Sequence, residues 1–195
     1  MKEASKRYFD LFDDVYIDGR WHLVGPTDEN GVDLSGLFHR GEPSRVKAPV
    51  LLKHSDAAER GSPLDYSRVS GTTIPIVRPH VAELLKRLAG GDVELVPAIV
   101  DGSPEQLYVV NVITTRRCID NGATGEVLKF TEADRDVWPD RVGEYMYVSG
   151  LKIDKTQVKD AKVFRTWGWN ALIVAEEIKD ALEAAHVTGV KFTEV

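Results

Sequence analysis

Residues 171–195 read ALIVAEEIKD ALEAAHVTGV KFTEV, and this stretch decides the fold class. Val174, Ile178, Ala181, Leu182 and Ala185 recur at helical spacing, which predicts an amphipathic α-helix with one apolar face. Glu176 and Glu177 stand near its N-terminus, where negative charge meets the positive end of the helix dipole. Gly189 stops the helix and turns the chain. Val190 to Val195 then alternates apolar and polar residues with period two, as a half-buried strand does. A helix with one apolar face, followed directly by such a strand, predicts a helix packed on a sheet that the strand joins.

The same grammar occurs earlier in the chain. Ile76–Val77 leads into Pro79, which suits a first helical turn because its missing N–H has no intrahelical partner there. Val81, Leu84, Leu85 and Leu88 form one apolar face, and Lys86 and Arg87 sit in the last turn. Gly90–Gly91 is expected to end the helix in the left-handed cap conformation. At one constant offset, Ile76–Val77 maps onto Ile173–Val174, Val81 onto Ile178, Leu85 onto Leu182, Val93 onto Val190 and Leu95 onto Phe192. A strand–helix–strand duplication explains this, and so does the grammar common to any two such units.

Outward from these units the reading is coarser. Val93 to Val100 and Leu107 to Ile113 read as strands around the turn Asp101–Gly102–Ser103–Pro104. Thr131 and Asp134 resemble a capping pair for a short helix. Tyr145 to Val148 and Val163–Phe164–Arg165 read as further strands. Near the start, apolar residues from Tyr8 to Ile17 and Trp21 to Val24 flank Asp18–Gly19, which predicts a β-hairpin. Gly25 to Gly71 is rich in loop residues, with Val50–Leu51–Leu52 as its best strand. The expected class is α+β, with mainly antiparallel or mixed sheets and amphipathic helices packed on them. Residues 1–73 form a strand and loop-rich region and residues 74–195 an α/β core region, together one compact unit.

Composition narrows the function classes. Hydrophobic residues make up 43% of the 195-residue chain, enough for a sizeable core, and the formal charge is −6. An acidic chain lacks the concentrated basic surface that phosphate neutralisation needs, so nucleic acid is not the expected partner. Nor is an anionic membrane, and no stretch approaches a membrane span. No signal peptide is visible, and a cytoplasmic location is expected. The single cysteine, Cys118, excludes an internal disulfide and a cysteine zinc site.

Chemistry is hard to find. Dinucleotide, Walker and serine-elbow motifs are absent. His22, His39, His54, His80 and His186 include no pair at metal-ligand spacing. Cys118 follows Arg116 and Arg117, which would favour a thiolate, although a structural thiol at a strand end is the preferred reading. Glu132, Asp134, Asp136 and Asp140 lack the glycine and terminal glutamate of a calcium loop. Catalytic, cofactor and metal residues are therefore expected to be none. Trp138 among these acids has the makings of an interface hot spot, and Trp167–Gly168–Trp169–Asn170 is a second aromatic candidate. Ordinary core packing explains each tryptophan equally well.

Several stretches taken in order carry a resemblance. They are Arg20–Trp21–His22–Leu23, Gly25–Pro26, the Asp-rich turn with Gly31, Phe38 and Gly41. Then come Ile76–Val77, Val93–Glu94–Leu95–Val96–Pro97, Tyr108–Val109–Val110–Asn111–Val112, Ile119–Asp120, Val163–Phe164–Arg165 and Thr188–Gly189–Val190–Lys191–Phe192. Together they resemble immunity protein family eleven, first defined on a myxobacterial immunity protein and encoded beside polymorphic toxins. The similarity covers nearly the whole chain, most clearly residues 74–195. It implies a bacterial, non-enzymatic protector that binds a cognate toxin domain in the cytoplasm and blocks it. The resemblance carries over no catalytic residue. Asp134, Asp136, Trp138, Asp140, Trp167 and Trp169 are the expected partner-binding residues, and the acids suit a basic toxin. Two other readings stay open: an enzyme that reverses a toxin's modification, and a homodimeric scaffolding protein.

Overall fold

The apolar runs of period two become strands in this protein, and the two amphipathic runs become helices. The computed structural model describes residues 6–56 and 61–195. In chain order come strands β1 (Tyr8–Asp13), β2 (Leu23–Thr27), β3 (Val50–His54), β4 (Tyr66–Arg68) and β5 (Pro75–Val77). Helix α1 (Pro79–Ala89) precedes β6 (Val93–Val100), β7 (Gln106–Val112), β8 (Thr115–Arg116), β9 (Glu126–Lys129) and β10 (Tyr145–Ser149). Strands β11 (Val163–Thr166) and β12 (Leu172–Ala175), helix α2 (Glu176–Ala184) and β13 (Val190–Glu194) follow.

The strands form two large sheets and a separate ribbon. One sheet has the order β13-β1-β12-β11-β8, the other β2-β3-β6-β7-β5-β4, and β9 pairs with β10 alone. Pairing is mostly antiparallel, with parallel steps at β3–β6 and β8–β11. The fold is α+β, mainly sheet. Helices α1 and α2 touch each other and help fill one core with both sheets. That core joins Phe9, Val174 and Val163 of the first sheet to Val77, Val110 and Val112 of the second, through Val81, Leu85, Ile178 and Leu182. The outer face of each sheet has its own apolar cluster, around Phe38, Leu52 and Ile76 for one and Tyr8, Phe164 and Ile173 for the other.

The echo between the two strand–helix–strand units is a shared topology. Strands β5 and β6 flank β7, and β12 and β13 flank β1, with the central strand antiparallel to both neighbours each time. The registers match as well. Val77 pairs with Tyr108 and Leu95 with Val110, while Val174 pairs with Phe9 and Phe192 with Leu11. Residues equated by the constant offset also share environments. Val81 and Ile178, and Leu85 and Leu182, face the shared core, whereas Ile76 and Ile173 face the outer clusters.

Three local expectations need correction. The hairpin at Asp18–Gly19 does not form. Gly19 does turn the chain at φ +67°, but Leu23 and Val24 pair with β3, and β1 pairs with β12 and β13. Val15 and Tyr16 are left exposed. Strand pairing is non-local, so a turn signal does not choose the partner. Second, Val174 belongs to β12 and not to the helix, which begins at Glu176. Third, Gly90 is right-handed at φ −60°, so the cap is not the left-handed one. Its glycine serves close packing, because a Cβ there would lie 2.5 Å from the Lys86 carbonyl oxygen.

Candidate functional site

The ribbon β9–β10 and its connecting loop carry five exposed large hydrophobic side chains. Leu128 faces Tyr147 across the ladder, and the register shifts between Tyr145 and Tyr147. That irregularity leaves Met146 and Tyr147 outward while Tyr145 and Val148 turn inward. Leu128, Met146 and Tyr147, with Val137 and Trp138 from the connecting loop, are all 43–70% exposed. Exposed large hydrophobics also occur at Phe12, Val15 and Tyr16 and singly at Val24, Val32 and Ile99.

The loop between the two strands is held by its own hydrogen bonds. Phe130 N–H donates to the Glu144 carbonyl at 3.0 Å, and Gly143 N–H returns a bond to the Phe130 carbonyl at 2.9 Å. Phe130 is buried beneath this closure, with Trp138 tilted against it at 6.3 Å between ring centroids. The Arg141 guanidinium lies over the Phe130 ring at 4.3 Å. Thr131 donates to the Asp134 carboxylate from both its backbone N–H (2.7 Å) and its hydroxyl (2.9 Å), as the capping pair predicted. These bonds hold the Asp134 carboxyl below the usual carboxylate range. The helix there is a single 3₁₀ turn, Glu132–Asp134. Asp136 and Asp140 are exposed beside Trp138.

Trp167 and Trp169 lie on the turn between β11 and β12, both half-buried. Arg117 stacks over the Trp167 ring at 3.4 Å, and Trp169 packs against the outer cluster of Tyr8 and Phe164. Two residues of this turn are left-handed, Gly168 at φ +78° and Asn170 at φ +60°. The fold brings the turn and the ribbon together. Tyr145 N–H donates to the Gly168 carbonyl at 3.1 Å, and a Cβ on Gly168 would meet Tyr145 Cδ2 at 3.2 Å and Glu144 Cα at 3.3 Å.

A pocket of about 390 Å3 opens at this junction. Arg141 and Glu144 of the ribbon, the 167–170 turn, His39, Arg40, Thr115 and Arg165 line it. Arg141 and Glu144 form an ion pair at 3.2 Å. Arg165 is only 1% exposed. It donates to the Thr73 hydroxyl (3.1 Å), the Thr73 carbonyl (3.0 Å) and the Asn170 carbonyl (3.4 Å). Asn170 Nδ2 donates to His39 Nδ1 at 2.8 Å, which assigns the neutral imidazole with its proton on Nε2. Burial and the neighbouring Arg165 charge push the His39 pKa down in agreement.

Other candidate chemistry is quiet. Burial pushes the Cys118 thiol up to about 11 against the opposing pull of Arg116, so it is a packed thiol and not a thiolate. Among the described residues, no group of three or more His, Cys, Asp or Glu side chains is placed to hold a metal ion. No described helix is long and apolar enough to cross a membrane.

Sequence reasoning missed Leu128, Met146 and Tyr147, because the irregular pairing that turns them outward has no sequence signature. It also missed the pocket, whose His39 and Asn170 are far apart in the chain. A family model described as Immunity protein family (Imm11) matches residues 14–195. No curated protein matches the chain.

Proposed function

We propose that this chain, which belongs to the immunity protein family Imm11, neutralises a cognate bacterial toxin domain by binding it without chemistry of its own. The observation that supports this reading best is the set of exposed apolar side chains on the β9–β10 ribbon and its loop, with exposed Asp136 and Asp140 on either side of Trp138 in the chain. An aromatic anchor within a polar rim is how binding energy concentrates in protein interfaces. Trp138, backed by Phe130 and Arg141, is the natural anchor. The acids steer association with a basic toxin and set the approach. Trp167 and Trp169, on the turn whose Gly168 meets Tyr145 of the ribbon, extend the partner-binding surface. The complex forms in the cytoplasm of the producing cell or its siblings.

The test pairs the purified chain with the toxin domain encoded beside it. The expected result is a stable complex that abolishes toxin activity at one equivalent. Continued turnover of poisoned substrate by a small fraction of an equivalent would instead identify an enzyme that reverses the damage. A neighbour whose toxicity is unchanged by the protein overturns the reading.

A further inference from the structure

The pocket at the base of the ribbon has a charge balance opposite in sign to that of the chain as a whole. The chain as a whole carries a formal charge of −6. Yet among the described residues three arginines, Arg40, Arg141 and Arg165, line this one cavity, and Glu144 is the only carboxylate among them there. Glu144 is already committed to Arg141. Arg165 is the most unusual of the three. It is almost completely buried, and the acceptors that its N–H groups reach are a hydroxyl and two carbonyls. Its Nε has no partner among the described residues, and no carboxylate lies within ion-pair range of it there. A buried cation without a counter-charge is costly, and an anion brought to it relieves that cost. Guanidinium is also the group whose planar donors match carboxylate and phosphate oxygens. The cavity volume lies within the range of small-molecule sites.

We propose that this pocket binds a small molecule through a phosphate or carboxylate group, clamped at the mouth by Arg40 and Arg141 and attracted by the buried charge of Arg165 in the wall. Because Arg141 also stacks on Phe130 inside the ribbon loop, an occupant ties the ribbon to the body of the protein. The inference does not depend on the identity of the toxin, or on there being one.

Calorimetric titration and thermal melting of the full chain test it. Inorganic phosphate, AMP, adenosine and acetate serve as probes at constant ionic strength, with chloride as the reference. Phosphate, AMP or acetate should raise the melting temperature and give a saturable isotherm, and adenosine should not. AMP alone would identify a phosphoester, phosphate alone a free oxyanion and acetate a carboxylate, each in support. Arg165→Met risks misfolding, so the deciding variants are Arg40→Ala and Arg141→Ala at the pocket mouth. Each should weaken binding about tenfold, as loss of one charge-assisted contact does. Lys129→Ala, an equal charge change outside the pocket, should leave it unaltered. Melting temperatures that follow chloride for every anion, or binding unchanged in both arginine variants, overturn the proposal.

Discussion

Asp65 and Thr188 grip each other across the chain. Thr188 donates to the Asp65 carboxylate from its backbone N–H (2.8 Å) and its hydroxyl (2.7 Å), and that hydroxyl accepts from Asp65 N–H at 3.0 Å. Tyr66 N–H adds a bond to the Thr188 carbonyl at 3.0 Å. The turn before β13 is thereby docked beside β4, so the closing unit of one sheet is tied to the edge of the other. Burial pushes the Asp65 carboxyl up, but the Thr188 bonds and the charges of His80 and Arg78 outweigh it and hold it below its ordinary 3.8. A carboxyl depressed on folding stabilises the protein above its unfolded value, and that contribution is lost as pH falls through the folded value. Thr188→Val should cost about 1–2 kcal/mol at pH 7. The cost should shrink as pH falls through the folded value, which lies below 3.8, since only beneath that value is the carboxylate protonated in both states. Urea unfolding at pH 7 and pH 3 measures both, and an equal cost at the two pH values would count against the account.

Gly189 completes that dock. Its φ is +90°, and a Cβ there would run into the Tyr66 carbonyl oxygen and the Leu64 side chain. Gly143 has nearly the same φ, +88°, but open space around it. Gly143→Ala should therefore show backbone strain alone, about 1 kcal/mol, while Gly189→Ala adds the clash and should cost roughly 3 kcal/mol or more. Chemical denaturation of both variants separates the two contributions. Equal losses would mean that the dock yields easily.

Asp10 is buried in β1, with one carboxyl oxygen unpartnered among the described residues. Burial raises its pKa from 3.8 to about 7, against the opposing charge of Arg68. Between those values the folded state holds a proton that the unfolded state has released. Stability is thus fully present below pH ~4 and falls as pH rises to about 7, by an amount on the order of 4 kcal/mol at most. Asp10→Asn keeps the neutral form and should flatten this decline. It should be more stable than the parent at pH 8 and close to it at pH 4.5. A decline that persists in the variant would assign it to another group.

On the ribbon, Trp138→Ala should weaken toxin binding by at least ~2 kcal/mol, about thirtyfold, since an anchor loses both packing and water exclusion. Because Trp138 is half exposed but packs on Phe130, the unbound protein should lose only about 1 kcal/mol of stability. Asp136→Lys with Asp140→Lys should act differently, by slowing association and reversing its salt dependence. Stopped-flow mixing at two ionic strengths distinguishes the cases. A Trp138→Ala variant that binds as tightly as the parent would move the anchor elsewhere.

The elements read best were those whose evidence is local. Helical spacing placed Val81, Leu85, Ile178 and Leu182 correctly on the shared core. Period two identifies β13, and the expected strand Val93 to Val100 coincides with β6. The Thr131–Asp134 pair was legible because its bonds span three residues. The helix start at Glu176 and the right-handed Gly90 were local misreadings, whereas the strand pairing failed because the partners came from far along the chain. Asp18–Gly19 did turn, yet its flanking runs paired with β3, β12 and β13. The Trp138 and Trp167–Trp169 segments were visible as candidates, but not the Tyr145–Gly168 contact that joins them.

By itself the sequence determined the helices, most strands and the α+β class, because periodicity and turn residues act within a few residues, and its ordered motifs carried the family resemblance. Only the tertiary structure decided which strand meets which, that Met146 and Tyr147 face outward, and that Arg165 sits buried beside Arg40 and Arg141. Those outcomes depend on packing between distant segments, where many pairings satisfy the same local pattern and only the assembled core selects one.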